Sequence, residues 1–152
     1  MSVILTAHLF HGISKATLRQ VEELAQKKSC PAGAFLFQAG DQAEYLYLLD
    51  EGRVRLCAGE SGNIAFVISE PGEVFGWSSM VKHAEYTLSA QCVGPVRLVR
   101  IENSLLLHLL EKDPASGFLF FRHLTELIAQ RLINSYRATV CVHGERDSPS
   151  YG

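Results

Sequence analysis

The sequence predicts a mainly antiparallel β-fold with helices at both ends, and two observations indicate this fold class. Short apolar or alternating runs follow one another through the middle of the chain, each bounded by Gly, Pro, Asp or Asn. Apolar residues recur at helical spacing before and after this region. Many short strands between regular turn signals are typical of an antiparallel sandwich or barrel. The predicted strands are residues 34–38, 45–49, 53–58, 64–69, 85–93 and 96–101.

A helix is predicted to precede the strands. Ser14 is a good N-cap, and Leu18, Val21 and Leu24 recur at helical spacing after it. We expect this helix to end near the lysines at 27 and 28, because cations suit the negative end of the helix dipole. Residues 1–13 are interpreted as an N-terminal arm, and residues 14–112 as the β-barrel domain with its helices.

Two helices are predicted after the strands. Leu105, Leu106, Leu109 and Leu110 indicate a short amphipathic helix, and Asp113 and Pro114 then give the N-cap and first position of a long helix reaching about Thr139. We assign residues 113–140 to this C-terminal helix and 141–152 to a flexible tail. The helix is apolar over more of its surface than one packing partner needs, which favours a homodimer. The alternative is a helix packed only on its own barrel. Its apolar residues are Phe118, Phe120, Phe121, Leu124, Leu127, Ile128 and Leu132.

Composition excludes several classes of protein. The 152 residues carry a net charge of −2, which gives no overall attraction to nucleic acid or to an anionic membrane. The longest apolar runs are too short to span a bilayer, so we expect no membrane partner. The four cysteines show no C-x-x-C spacing, which argues against structural zinc. We interpret them as buried thiols in a reducing cytoplasm.

Particular motifs resemble a known family. The run Phe37–Asp41, followed by Tyr45–Leu49 and Gly52–Val54, resembles the front half of the cyclic-nucleotide-binding domain found in regulators of the catabolite activator and fumarate–nitrate type. Pro71–Gly76 resembles the approach to the phosphate-binding cassette of that family. The similarity extends from about residue 10 to residue 136. It implies a double-stranded β-helix, or jelly roll, that senses a ligand and is not an enzyme.

The cassette corresponds to residues 75–90. Gly76 ends a strand, and residues 77–81 could form one helical turn whose backbone N–H groups suit a phosphate. Two serine hydroxyls could donate further hydrogen bonds, and Thr87 lies where the family often places a hydroxyl. The alternative is a capped turn that only closes the barrel. The candidate ligand-binding residues are Phe75, Gly76, Trp77, Ser78, Ser79, Lys82, Tyr86 and Thr87.

The cassette departs from the family pattern at two positions. Trp77 stands where the family has a glutamate that holds the ribose, and Tyr86 stands where it has an arginine that pairs with the cyclic phosphate. An arginine–phosphate pair contributes roughly 1.5–3 kcal/mol, so its loss weakens binding about tenfold or more. Lys82 could replace the arginine as a point charge, and Trp77 could stack on a sugar or base. The alternatives are a solvated lysine and a pocket-filling indole.

Three functions are compatible with these residues. The first is a regulatory domain that binds cAMP, cGMP or a similar small anion and signals through its C-terminal helix to an effector protein. The second is a degenerate domain that binds no nucleotide and serves as a protein-interaction or dimerisation module. The third, a metal-dependent cupin-type enzyme, is disfavoured because the strands supply almost no histidine.

Other ligands and partners are weakly indicated. We expect no cofactor and no metal: His8 and His11 are interpreted as a solvated pair, and haem ligation by His83 or a cysteine is a minor alternative. The regulators that this sequence resembles carry a helix-turn-helix domain after the long helix, whereas this chain stops soon after it, so we expect a stand-alone sensor. Arg131, Arg137 and Arg146 are too scattered for a DNA-reading face. We therefore expect no direct DNA binding and a solvated face for these arginines.

Overall fold

Eight strands form two four-stranded antiparallel sheets. The computed structural model describes residues 2–58, 63–81 and 84–143, without the side chains of residues 65 and 138–143. The strands are β1 (Gln26–Cys30), β2 (Phe35–Phe37), β3 (Tyr45–Glu51), β4 (Val54–Ala58), β5 (Asn63–Ile68), β6 (Val74–Phe75), β7 (Ser89–Cys92) and β8 (Val96–Glu102). One sheet has the order β1-β8-β3-β6 and the other β2-β7-β4-β5. The predicted fold class is confirmed, as a jelly-roll-like pair of sheets that does not close into a true barrel.

Helices flank the sheets at both ends. They are α1 (Val3–Thr6), α2 (Lys15–Leu24), α3 (Asn103–Lys112) and α4 (Pro114–His143), with 3-10 helices at His8–Phe10 and Trp77–Met80. The predicted cap of α2 is confirmed, because the Ser14 hydroxyl accepts a hydrogen bond from the Thr17 amide at 3.3 Å. In the described part of the chain, no helix combines the length and hydropathy that a bilayer span needs.

The predicted end of α2 is wrong. The helix ends at Leu24, and Lys27 and Lys28 lie in β1, where they pair with Val99 and Leu98 of β8. Backbone pairing along β8 stabilises this segment as an edge strand, and this outweighs the attraction of two lysines to a helix end. Exposed lysines also suit an edge strand, since they oppose pairing with another chain.

The predicted strand over residues 85–93 forms only in its second half. β7 begins at Ser89, whereas Tyr86 is held by backbone hydrogen bonds to the loop before β3. The Gly40 amide donates to the Tyr86 carbonyl at 2.8 Å, and the Tyr86 amide donates to the Asp41 carbonyl at 2.9 Å. These bonds bring the end of the cassette against the turn that follows β2.

The N-terminal segment belongs to the folded core. Side chains of α1 and of the 3-10 helix after it, including Ile4, Leu9 and Phe10, are buried in one apolar cluster, in which α1 contacts β3 and α2 and the 3-10 helix contacts α4. A second apolar cluster fills the space between the two sheets. The segment predicted as an arm, residues 1–13, therefore helps to hold α4, because Phe120 and Leu124 of α4 lie in the same apolar cluster as Ile4, Leu9 and Phe10.

Candidate ligand-binding site

A small cavity lies between the cassette and α4. Its volume is about 40 Å³, which is enough for only a few water molecules. Two walls come from the cassette, a third from strands β2 and β4, and the last from α4. The lining residues are Phe37, Leu56, Gly76, Trp77, Ser78, Tyr86, Thr87, Leu88 and Arg131.

Gly76 sets the path of the cassette. Its φ of 74° is in the left-handed region that favours glycine, and it directs the chain from β6 into the 3-10 helix. A Cβ at this position would lie 3.0 Å from the Tyr47 ring and 3.2 Å from the Tyr45 carbonyl oxygen. At the other end of the turn, the Asn103 side-chain amide donates to the Ser79 carbonyl at 2.6 Å, which joins the cassette to α3.

Five of the eight predicted site residues line the cavity: Gly76, Trp77, Ser78, Tyr86 and Thr87. Two others, Phe75 and Ser79, do not. Phe75 is fully buried between the sheets, where its ring stacks on Tyr47 at 5.1 Å. Ser79 is 1% exposed, and its hydroxyl has no hydrogen-bond partner among the described residues. Lys82 lies outside the described residues, as does His83.

Tyr86 forms a wall of the cavity and offers it no free hydroxyl. The hydroxyl donates to the Tyr45 carbonyl at 2.7 Å and accepts from the Tyr45 amide at 3.1 Å. The ring stacks on Phe37 with 3.7 Å between centroids. Burial raises the pKa of Tyr86 well above its ordinary value, so the group stays neutral. At the position where the family has an arginine, this chain therefore has a neutral side chain whose polar atom is already paired.

Arg131 brings a positive charge to the cavity from α4. Its guanidinium lies over the Trp77 ring, 4.4 Å from the centroid, and Nη2 donates a hydrogen bond to the Val74 carbonyl. The Glu73 carboxylate is 3.9 Å from Nη2. The side chain is 13% exposed, and Nη1 is buried with no hydrogen-bond partner in the described part of the chain. Burial lowers the pKa of Arg131 to about 10, opposed by Glu73, so the group is charged at neutral pH.

The prediction of a solvated Arg131 is wrong. Phe120, Leu124 and Leu127 pack on the core at helical spacing, and Arg131 continues this stripe one turn further along α4. Arg131 lies far from the cassette in the sequence, so the motif of the cassette does not include it. The signal that could have found it is the register of the buried stripe, which places position 131 on the face toward the sheets.

Three histidines meet near the N-terminal half of α4. The ring of His123 lies 4.6 Å from that of His8 and 6.4 Å from that of His11, between centroids. His123 is buried, and its Nδ1 is 3.2 Å from the Leu9 carbonyl oxygen, to which it can only donate. No group of three His, Cys, Asp or Glu side chains among the described residues is arranged to hold a metal ion.

The fold and the cavity define a class of protein: a small domain of two antiparallel sheets in which a long helix lies over a pocket that begins at a glycine turn. Comparison with known families agrees. The cyclic nucleotide-binding domain matches residues 27–113. The chain therefore belongs to the cyclic nucleotide-binding domain family, which is a regulatory and non-enzymatic family.

Individual proteins and solved structures that are similar to this chain have names that refer to cyclic nucleotides. The cyclic AMP receptor protein of Thermus thermophilus is 30% identical over 128 residues, which are 82% of this chain and 56% of that protein. The chain thus spans little more than half the length of this curated relative. Among solved structures, a putative cyclic nucleotide-binding protein from Geobacter metallireducens is 29% identical, with a TM-score of 0.74 over 84% of this chain and 93% of that one. A cyclic nucleotide-binding domain from Methylobacillus flagellatus, at 20% identity, shares the fold with a TM-score of 0.78 over 97% of this chain and 83% of that one.

Proposed function

We propose that this chain is a ligand-sensing domain that binds cAMP, cGMP or a similar small anion below the cassette and signals through α4. The observation that carries the proposal is that one cavity is walled by the cassette, through Gly76, Trp77 and Ser78, and by α4, through Arg131. A ligand that enters it touches both elements. The family and the receptor from Thermus thermophilus support a cyclic nucleotide as the ligand class.

Binding would require the cavity to enlarge. Its volume of about 40 Å³ is far below the roughly 300–1,000 Å³ of pockets that hold drug-sized ligands. The cassette, α4 or both must therefore move when a nucleotide enters. A ligand that fits only the enlarged cavity shifts the population toward that conformation, and this shift is the proposed signal.

The outward face of α4 suits a second copy of the chain. Most of its large apolar side chains are separated by three, four or seven residues, which places them on one face. We therefore propose a homodimer through α4, with an effector protein as a further partner. The exposed apolar residues of this face are Phe118, Phe121, Ile128, Leu132, Ile133 and Tyr136.

We place the domain in a reducing cytoplasm. Cys30, Cys57 and Cys92, which form no disulfide, are compatible with this location.

Two observations favour a second candidate function. The cavity is small, and the tyrosine at the position of the family's arginine has its hydroxyl paired with Tyr45. These features fit a degenerate domain that binds no nucleotide and acts through the exposed face of α4 alone.

Titration calorimetry with cAMP and cGMP at low salt separates the two candidates. The proposed function predicts micromolar affinity or better for at least one of them, and a weaker affinity in the Ser78→Ala variant, which loses a hydroxyl at the cavity. Ser104→Ala is the matched control, because Ser104 lies on α3 away from the cavity. Absence of binding by the folded wild-type protein would favour the interaction module.

A further inference from the structure

We propose that Arg131 is the ligand-binding cation of this domain, so that α4 supplies a positive charge in place of the arginine that the cassette lacks. The proposal rests on the function proposed above. In this proposal the Arg131 side chain binds the anion. It also links the anion to α4, the helix that is proposed to carry the signal.

Among the described residues that line the cavity, Arg131 has the only charged side chain. The described parts of the cassette, residues 75–81 and 84–90, contain no Lys, Arg or His. The remaining lining residues are apolar or carry neutral hydroxyls, apart from the backbone of Gly76. Within the described part of the chain, the positive charge that an anion in this cavity meets is therefore that of Arg131. In a poorly solvated site, that charge dominates the selection between anionic and neutral ligands.

The guanidinium is only partly satisfied in the ligand-free protein. Nη2 donates to Val74, whereas Nη1 is buried without a partner among the described residues. A buried charged group that lacks a hydrogen-bond partner destabilises the folded state, so such a group suggests a missing acceptor. Oxygens of a phosphate or carboxylate match the planar fork of a guanidinium. A bound anion would supply the acceptor for Nη1.

Trp77 holds the guanidinium in position for this role. The guanidinium carbon lies over the indole ring, 4.4 Å from its centroid, and a cation–π contact of this kind uses none of the N–H donors. Trp77, which stands at the position of the family's glutamate, thus orients Arg131. Arg131 in turn takes the role of the family's cassette arginine. Arg131 is part of α4, so an anion held between it and the cassette fixes the helix relative to the sheet.

The test compares Arg131→Met with wild type. Methionine keeps an apolar stem against Trp77 but removes the charge, so we expect cAMP affinity measured by calorimetry to fall about tenfold or more. The melting temperature of the ligand-free variant should equal or exceed that of wild type, because no buried Nη1 is left without a partner. Arg122→Met is the matched control: Arg122 lies on the same helix but is exposed beside Glu126, and its loss should leave affinity unchanged.

A second neutral variant guards against a folding defect. Arg131→Gln retains a donor for the Val74 carbonyl and should lose affinity to a similar degree. If either folded neutral variant binds cAMP within twofold of wild type, this proposal is overturned while the proposed function stands. If neither variant folds, Arg131 is a structural link between α4 and β6, which also overturns it. If wild type binds neither cAMP, cGMP nor inorganic phosphate, both proposals fail together.

Discussion

Asp113, at the junction of α3 and α4, accepts hydrogen bonds from three hydroxyl groups. Those of Ser116, Thr17 and Ser14 lie 2.6, 2.7 and 2.7 Å from the same carboxylate oxygen. These bonds, with the Ser116 bond the strongest influence, hold the pKa of Asp113 well below its usual range. One carboxylate thus joins the first turns of α2 and α4 and fixes where α4 leaves the domain.

The stability of the domain should depend on the charge of Asp113. Because the pKa is depressed in the folded state, the stabilisation is fully present above the unfolded value of about 3.9 and is lost as pH falls below it. Asp113→Asn should therefore lower the urea midpoint at pH 7, and its difference from wild type should shrink at pH 3. Asp50→Asn, at an exposed position on β3, is the control. Equal midpoints at pH 7, or a difference that grows in acid, would contradict this assignment.

At the scale of the element, α4 has two apolar faces with different surroundings. Phe120 is 0% exposed and packs on the core, whereas Phe118, two positions away, is 66% exposed. The inward face holds Arg131 at the cavity, and the outward face is available to another molecule. A movement of the helix caused by ligand would therefore change the presentation of the outward face.

Introduction of a negative charge on the outward face of α4 should prevent dimerisation. Phe118→Glu and Leu132→Glu should each raise the dimer dissociation constant by about a hundredfold, because burying an unpaired carboxylate in an apolar interface costs several kcal/mol. Light scattering after size exclusion measures the mass. Leu105→Glu, at an exposed leucine of α3, should leave the dimer intact. A wild-type protein that stays monomeric at high micromolar concentration would refute the proposed interface.

At the scale of the whole molecule, the proposed binding requires the cavity between the cassette and α4 to enlarge. Saturating cAMP should therefore change amide hydrogen exchange in residues 74–81 and in the middle of α4, and leave β1 and β8 unaffected. Adenosine, which lacks the phosphate, is the control ligand and should have little effect. If exchange changes in the cassette but not in α4 while calorimetry shows binding, the proposed path of the signal is wrong.

Local signals in the sequence determined most of the fold. The cap at Ser14, the start of α4 at Pro114 and the turn at Gly76 each depend on a few neighbouring residues, and each was predictable. The wrong prediction for the end of α2 has a physical cause. β1 is an exposed strand that forms because β8 offers it backbone partners, so it has no periodicity of its own.

The sequence by itself predicted the family, which the comparisons confirm, and the position of the cassette, and it contains no arginine between Gly76 and Ala90. It also identified most residues of the cavity wall, because the cassette is one continuous segment. Only the tertiary structure decided that Arg131 belongs to the same site, since it lies 57 positions from Val74, to which it donates a hydrogen bond. The reason is physical: a residue on a distant helix reaches a pocket only through the packing of that helix. Here Phe120 and Leu124 fix that packing against the core.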